Sequence, residues 1–169
     1  MKPRTAKETF ASSSRIVMPN DTNTLNNLMG GQLLNWMDIN SAISAHRHAR
    51  RVVVTASVSH VSFSHAIKLG DIVTIESKVS RAFNTSMEVY LDVFVEDHIS
   101  GEQKKCNEAI YTFVAVDQLG RPIEVPELIP ETEEEIGRYG GALRRRQLAL
   151  ILSGKMQPDE ASELKALFE

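Results

Sequence analysis

One acidic side chain stands apart in this sequence. Between Gly30 and Ala45 the only ionisable residue is Asp38, and on a helix its neighbours one turn away are Leu34, Ser41 and Ala42. An ionised carboxylate among small and apolar groups is costly to bury unless a partner or water compensates. Such an acid is therefore either paired or functional. The loop Asn26-Asn27-Leu28-Met29-Gly30-Gly31 lies directly ahead of the same segment. It sets two side-chain amides and unpaired backbone N–H groups at the positive end of a helix dipole. Its glycines let the main chain approach a ligand carbonyl or anion closely, which is the chemistry of an oxyanion site. Asp38 lies about 10 Å from Gly31 by helix rise. A carbonyl seated at the helix start is thus out of reach of the same chain's Asp38, and the partner group is expected from another subunit.

Other chemistries find less support. There is no His-Glu-x-x-His, and His46 and His48 fall on different sides of a helix, so they read as C-terminal caps and no metal is expected. The lone Cys106 can form neither an internal disulfide nor a cysteine metal site and reads as packing within a strand. No Gly-x-Ser-x-Gly elbow and no glycine-rich nucleotide motif is present, and His60, His65 and His98 stand alone in or beside strands. A net charge of −3 counts against non-specific nucleic-acid binding, which needs a cationic face, so no nucleic-acid partner is expected. No run approaches the apolar length of a membrane helix, and the polar start is not a secretory signal, so a cytoplasmic protein without membrane insertion is expected.

The elements that position these residues follow from length and periodicity. At 169 residues, 42% apolar and 24% charged, the chain fits one globular domain with extensions. Residues 1–14 are polar and read as a flexible arm. A short strand candidate, Arg15-Ile16-Val17-Met18, ends at Pro19, and turn chemistry in Asn20-Asp21-Thr22-Asn23-Thr24 leads to a helix from Gly30 to about His48. From Val52 the period changes to two. Val73, Ile75 and Val79 alternate with Thr74, Glu76 and Lys78, and Met87, Val89, Leu91, Val93 and Val95 alternate with polar or aromatic residues. Residues 52–63 and 106–116 read likewise, with tight connections at Asn84-Thr85 and Ser100-Gly101 and a break at Leu69-Gly70-Asp71. An antiparallel sheet must cover its apolar face, and the long helix is the element available, so an α+β fold with the sheet wrapped around the helix is expected. Residues 131–169 read as a helical C-terminal extension, with Glu131-Thr132-Glu133-Glu134-Glu135 and Arg144-Arg145-Arg146 as solvated helical surface.

The residues resemble the acyl-CoA thioesterases of the hotdog superfamily, in the branch of the cytosolic and brain acyl-CoA hydrolases and their bacterial relatives. The resemblance runs through Met18-Pro19-Asn20-Asp21-Thr22-Asn23, Asn27-Leu28-Met29-Gly30-Gly31, Met37-Asp38, Thr55-Ala56-Ser57, Thr85-Ser86-Met87-Glu88-Val89 and Phe113-Val114-Ala115-Val116-Asp117. It covers residues 15–135 and implies a hotdog domain over 15–130. It also implies hydrolysis of acyl-CoA to free fatty acid and coenzyme A, with coenzyme A as substrate and product and no cofactor. By position, Asp38 is implied as general base or nucleophile, Asn27 from the opposing subunit as the group orienting water or substrate, and the Gly31 N–H as oxyanion donor. Coenzyme A phosphates are implied near residues 81–86 and basic groups, which gives Gly30, Arg50, Arg51, Arg81, Asn84, Thr85 and Ser86 as binding candidates. The family further implies a homo-oligomer, at least a dimer and commonly a trimer of dimers. Two alternatives are a hotdog-fold dehydratase of acyl thioesters, which needs a histidine that residues 22–45 lack, and a non-catalytic acyl-CoA sensor.

Overall fold

A computed structural model of the chain describes residues 1–63 and 65–168. Among the described residues, seven strands and three α-helices follow in the order β1 (Arg4–Thr5), β2 (Ala11–Ile16), α1 (Gly30–Ala49), β3 (Val52–Ser59), β4 (Ile72–Ala82), β5 (Ser86–Glu96), β6 (Gln103–Val116), β7 (Leu128–Ile129), α2 (Glu133–Leu152) and α3 (Ser162–Lys165). Five strands form one antiparallel sheet in the order β2-β4-β5-β6-β3, and β1 pairs in parallel with β7.

The sheet folds around α1 because alternation along β4, β5 and β6 turns one set of side chains inward. Val73, Ile75, Val79, Met87, Val89, Leu91, Val93, Tyr111 and Phe113 are all essentially inaccessible and meet Leu33, Trp36, Met37 and Ala45 of the helix. A polar seam lets α1 approach β4 closely. Asn40 Nδ2 donates to Ser77 Oγ at 2.8 Å, and the Ser44 and Ser77 hydroxyls lie 2.7 Å apart. At its C-terminal end α1 stops where Arg50 takes a left-handed conformation, φ 53°, with its N–H on the His46 carbonyl. There the buried His48 ring bonds the Pro126 carbonyl at 2.8 Å.

Two expectations fail here. Residues 1–14 do not form a loose arm. Arg4 and Thr5 pair with Leu128 and Ile129, and residues 11–16 pair with β4. Small buried side chains, Ala6, Thr9 and Ala11, supply this packing where bulky ones are absent. The strand expected at residues 15–18 therefore begins earlier and ends at Ile16. The acidic and basic runs of the C-terminal extension are not simply solvated either. Thr132 caps α2 in a reciprocal capping box with Glu135, which is buried and paired with Lys78 at 2.8 Å. Arg145 makes a two-pronged contact with the buried Glu88 of β5, at 3.0 and 2.7 Å, and Arg138 pairs with Asp92 at 2.9 Å. The helix is thereby fastened to the outer face of the sheet.

Candidate active site

Asp38 sits half-buried midway along α1, facing the neighbouring edge strand β3. Thr55 Oγ1 donates to Asp38 Oδ1 at 2.7 Å, which fixes one carboxylate oxygen and leaves the carboxylate further acceptor capacity. Register brings them together, since Thr55 lies opposite Phe113 immediately before a bulge in the β3–β6 ladder. Beside the acid runs a groove of about 540 Å³ lined by Gly31, Leu34, Val58, Val61, Phe63 and Tyr111 together with Asn35 and Asp38. Burial, with the Asp38 charge adding to it, pushes the Tyr111 hydroxyl up to about 12, so it stays a neutral donor, and it bonds the Leu34 carbonyl at 3.0 Å.

The loop before α1 is held from both sides. Asn23 Oδ1 accepts from the N–H groups of Leu25 (2.9 Å) and Asn27 (3.2 Å), closing an Asx turn that carries Asn26 through φ 57°. The Leu28 N–H bonds the Ile67 carbonyl at 2.7 Å, and Asn27 bridges Lys68. Met29 caps α1 with no side-chain bond, and its carbonyl accepts from the Gln32 and Leu33 N–H groups, so the N–H groups of Gly30 and Gly31 precede any intrahelical acceptor. Gly31 is exposed, and a Cβ built there meets nothing within 4 Å. Asn23 and Asn27 both line a second cavity of about 530 Å³ with Leu28, Gly30, Leu33, Phe63, Ile67 and Cys106. Burial pushes the Cys106 thiol up, away from thiolate reactivity.

Apart from Gly30, which starts α1 at the opposite end of the helix from Arg50, the binding candidates gather at one end of the sheet. Ser86 lies opposite Val114 and Val52 opposite Val116, so the β4–β5 hairpin and Arg50-Arg51 share that end. Asn84, Arg50 and Arg51 are exposed. Arg81 and Ser86 are instead engaged by α2. The Arg81 guanidinium lies 4.2 Å from the Tyr139 ring centre and bonds the Tyr139 carbonyl at 3.2 Å, and Ser86 Oγ accepts from Arg146 at 3.1 Å. Among the described residues no group of His, Cys, Asp or Glu side chains is placed to hold a metal ion, and no helix is long and apolar enough to cross a membrane.

Comparison with known proteins bears on this geometry. A family model described as "Thioesterase superfamily" matches residues 25–102. The chain is 42% identical to a Bacillus subtilis protein named as an uncharacterized acyl-CoA thioester hydrolase, over 84% of this chain and 83% of that one. It is also 42% identical to mouse acyl-coenzyme A thioesterase 11, over 85% of this chain but only 24% of that longer protein. Among solved structures, an acyl-CoA hydrolase from Bacillus cereus superposes with a TM-score of 0.86 at 37% identity, covering 98% of each chain. A hexameric acyl-CoA thioesterase superposes with a TM-score of 0.83 at 36% identity, over 86% of this chain and 94% of that one. An acyl-CoA hydrolase from Staphylococcus aureus, solved with butyryl coenzyme A and coenzyme A, matches with a TM-score of 0.82 at 33% identity, over 99% and 100% of the two chains. That hydrolase has also been solved with an asparagine, an aspartate and a threonine each replaced by alanine. The sequence intervals between those three positions, fifteen and seventeen residues, also separate Asn23, Asp38 and Thr55.

Asn23 and Thr55 thereby join the candidate residues, though sequence reasoning had not singled them out. Asn23 carried the signal of a turn former, and Thr55 that of a strand residue.

Proposed function

The chain belongs to the thioesterase superfamily, and from that premise we propose that it hydrolyses acyl-CoA thioesters to free acid and coenzyme A at a site shared by two copies of the chain. The observation that carries this reading is the Asp38–Thr55 pair at the edge of an apolar groove, a held carboxylate beside space for a thioester. Asp38 acts as general base. It takes a proton from water as the water oxygen attacks the thioester carbonyl, and the first-turn N–H of Gly31 in the opposing copy receives the developing oxyanion. Collapse of the tetrahedral intermediate breaks the carbon–sulfur bond, and the departing thiolate takes the proton back from Asp38. Asn23 of the opposing copy, rather than Asn27, orients the water or substrate. The Asn27 N–H serves to hold the Asn23 carbonyl oxygen, which aims the Asn23 amide.

The pairing of copies follows from surface that one chain leaves bare. β3 pairs with β6 on one side only, and Val52, Val54 and Val58 of β3 are exposed next to Ile39 and Ile43 of α1. Edge-to-edge pairing of β3 with helix against helix covers all five residues, and three such dimers make the hexamer. Coenzyme A phosphates rest on Arg50, Arg51, Asn84 and Thr85, with Arg81 and Ser86 shaping the hairpin beneath them.

The test is thiol release from acyl-CoAs of graded chain length, run beside Asp38→Asn. The variant is expected to keep its oligomeric mass and bind substrate while turnover falls by about 10²-fold or more. Unaltered turnover would refute the role of Asp38.

A further inference from the structure

Phe63 lines both the groove beside Asp38 and the cavity behind the Asn23 loop. Its ring lies against the first residue of α1. A Cβ built on Gly30 would come within 3.3–3.5 Å of three ring atoms, so the ring sits over backbone that a glycine leaves uncovered. On one side of this ring are Leu28, Leu33, Ile67 and Cys106, and on the other Leu34, Val58, Val61 and Tyr111. The two spaces are about 530 and 540 Å³, each within the size range of a small-molecule site. The helix divides them in the same way, because Gly30 and Leu33 face one while Gly31, Leu34 and Asp38 face the other.

We infer that Phe63 is a partition that sets which acyl chains this site accepts, a specificity that rests on the acyl-CoA reading above. The thioester carbonyl lies at the start of α1, and the acyl tail enters the apolar cavity directly behind Asn23 and Gly30. The Phe63 ring closes the far wall of that cavity. A short or medium tail fits in front of the ring. A longer tail must displace it to reach the second apolar space, and lifting it from Gly30 exposes aromatic surface and breaks a close contact. Phe63 is 54% exposed, so its side chain can be changed without opening the core.

The experiment measures kcat/KM for short, medium and long saturated acyl-CoAs with the full chain, Phe63→Ala and Ala66→Leu. Ala66 lines the first cavity and is exposed, so added bulk there shortens the cavity from its rim. Phe63→Ala is expected to raise the long-to-short ratio of kcat/KM by roughly tenfold or more, and Ala66→Leu to lower it, with oligomeric mass and melting temperature little changed. An equal effect on all chain lengths in Phe63→Ala, or no effect, overturns the partition and leaves the thioesterase reading standing. A parent protein that releases thiol from none of the acyl-CoAs overturns both.

Discussion

A single hydrogen bond orders the Asp38 carboxylate, the proposed general base. Thr55 reaches it from the adjacent strand at 2.7 Å and fixes the carboxylate's orientation. The acid itself is legible in the sequence, because it is the only ionisable residue between Gly30 and Ala45. The asparagine is not. Both Asn23 and Asn27 lie in a loop of turn formers, and the Asx turn that Asn23 makes is a sufficient local reason for its presence. The identity and subunit of the acting asparagine can be separated by mixing defects. Asp38→Asn and Asn23→Ala proteins, each impaired alone, are expected to regain about a quarter of full activity when refolded together in equal amounts. Half of the random dimers are then mixed, and one of the two sites in each is intact. No recovery would place both groups on one chain. Recovery with Asn27→Ala but not Asn23→Ala would restore the role to Asn27.

At the level of elements, helix formers and end chemistry exposed α1, and periodicity exposed the four strands after it, since a buried sheet face imposes its repeat on the sequence. What stayed hidden is held by small residues or by charges. The N-terminal strands lean on Ala6, Thr9 and Ala11, whose size gives no apolar signal. Helix α2 is fastened through Arg138 and Arg145 to Asp92 and Glu88, and outward-pointing acids on a strand read as a wet face until a basic helix covers them. The junction of α1 with the segment before β7 carries its own pH signature. Burial lowers the pKa of His48 below 6.5, against the opposing effect of its bond to the Pro126 carbonyl. Below pH 6.5 the unfolded chain accepts a proton that the folded chain refuses, so this contribution to stability is present above pH 6.5 and lost as pH falls. Melting temperatures measured from pH 8 to pH 5 are expected to decline more steeply in the parent than in His48→Gln. Parallel curves would assign the acid sensitivity to other groups.

At the scale of the whole molecule the proposed active site is a property of the pair, and the exposed apolar strip on α1 and β3 is the surface proposed to make the pair. Ile43→Asp sets a carboxylate where two copies are proposed to meet, and it is costly to desolvate there without a partner. Sedimentation is expected to show dissociated chains with their helix content retained, and thiol release is expected to fall at least about tenfold, the size of a 1.4 kcal/mol loss. A dissociated chain with full turnover would place the complete site in one copy. The bare outer edge of β3 has a further effect on the protein's lifetime. A subunit parted from its mate carries a ready template for any strand of like sequence, and wrong matches compete with the right one from the moment of separation. Loss on storage would then proceed as growth of insoluble filaments seeded by solitary subunits, at a pace set by how often mates exchange, long before heat loosens the core.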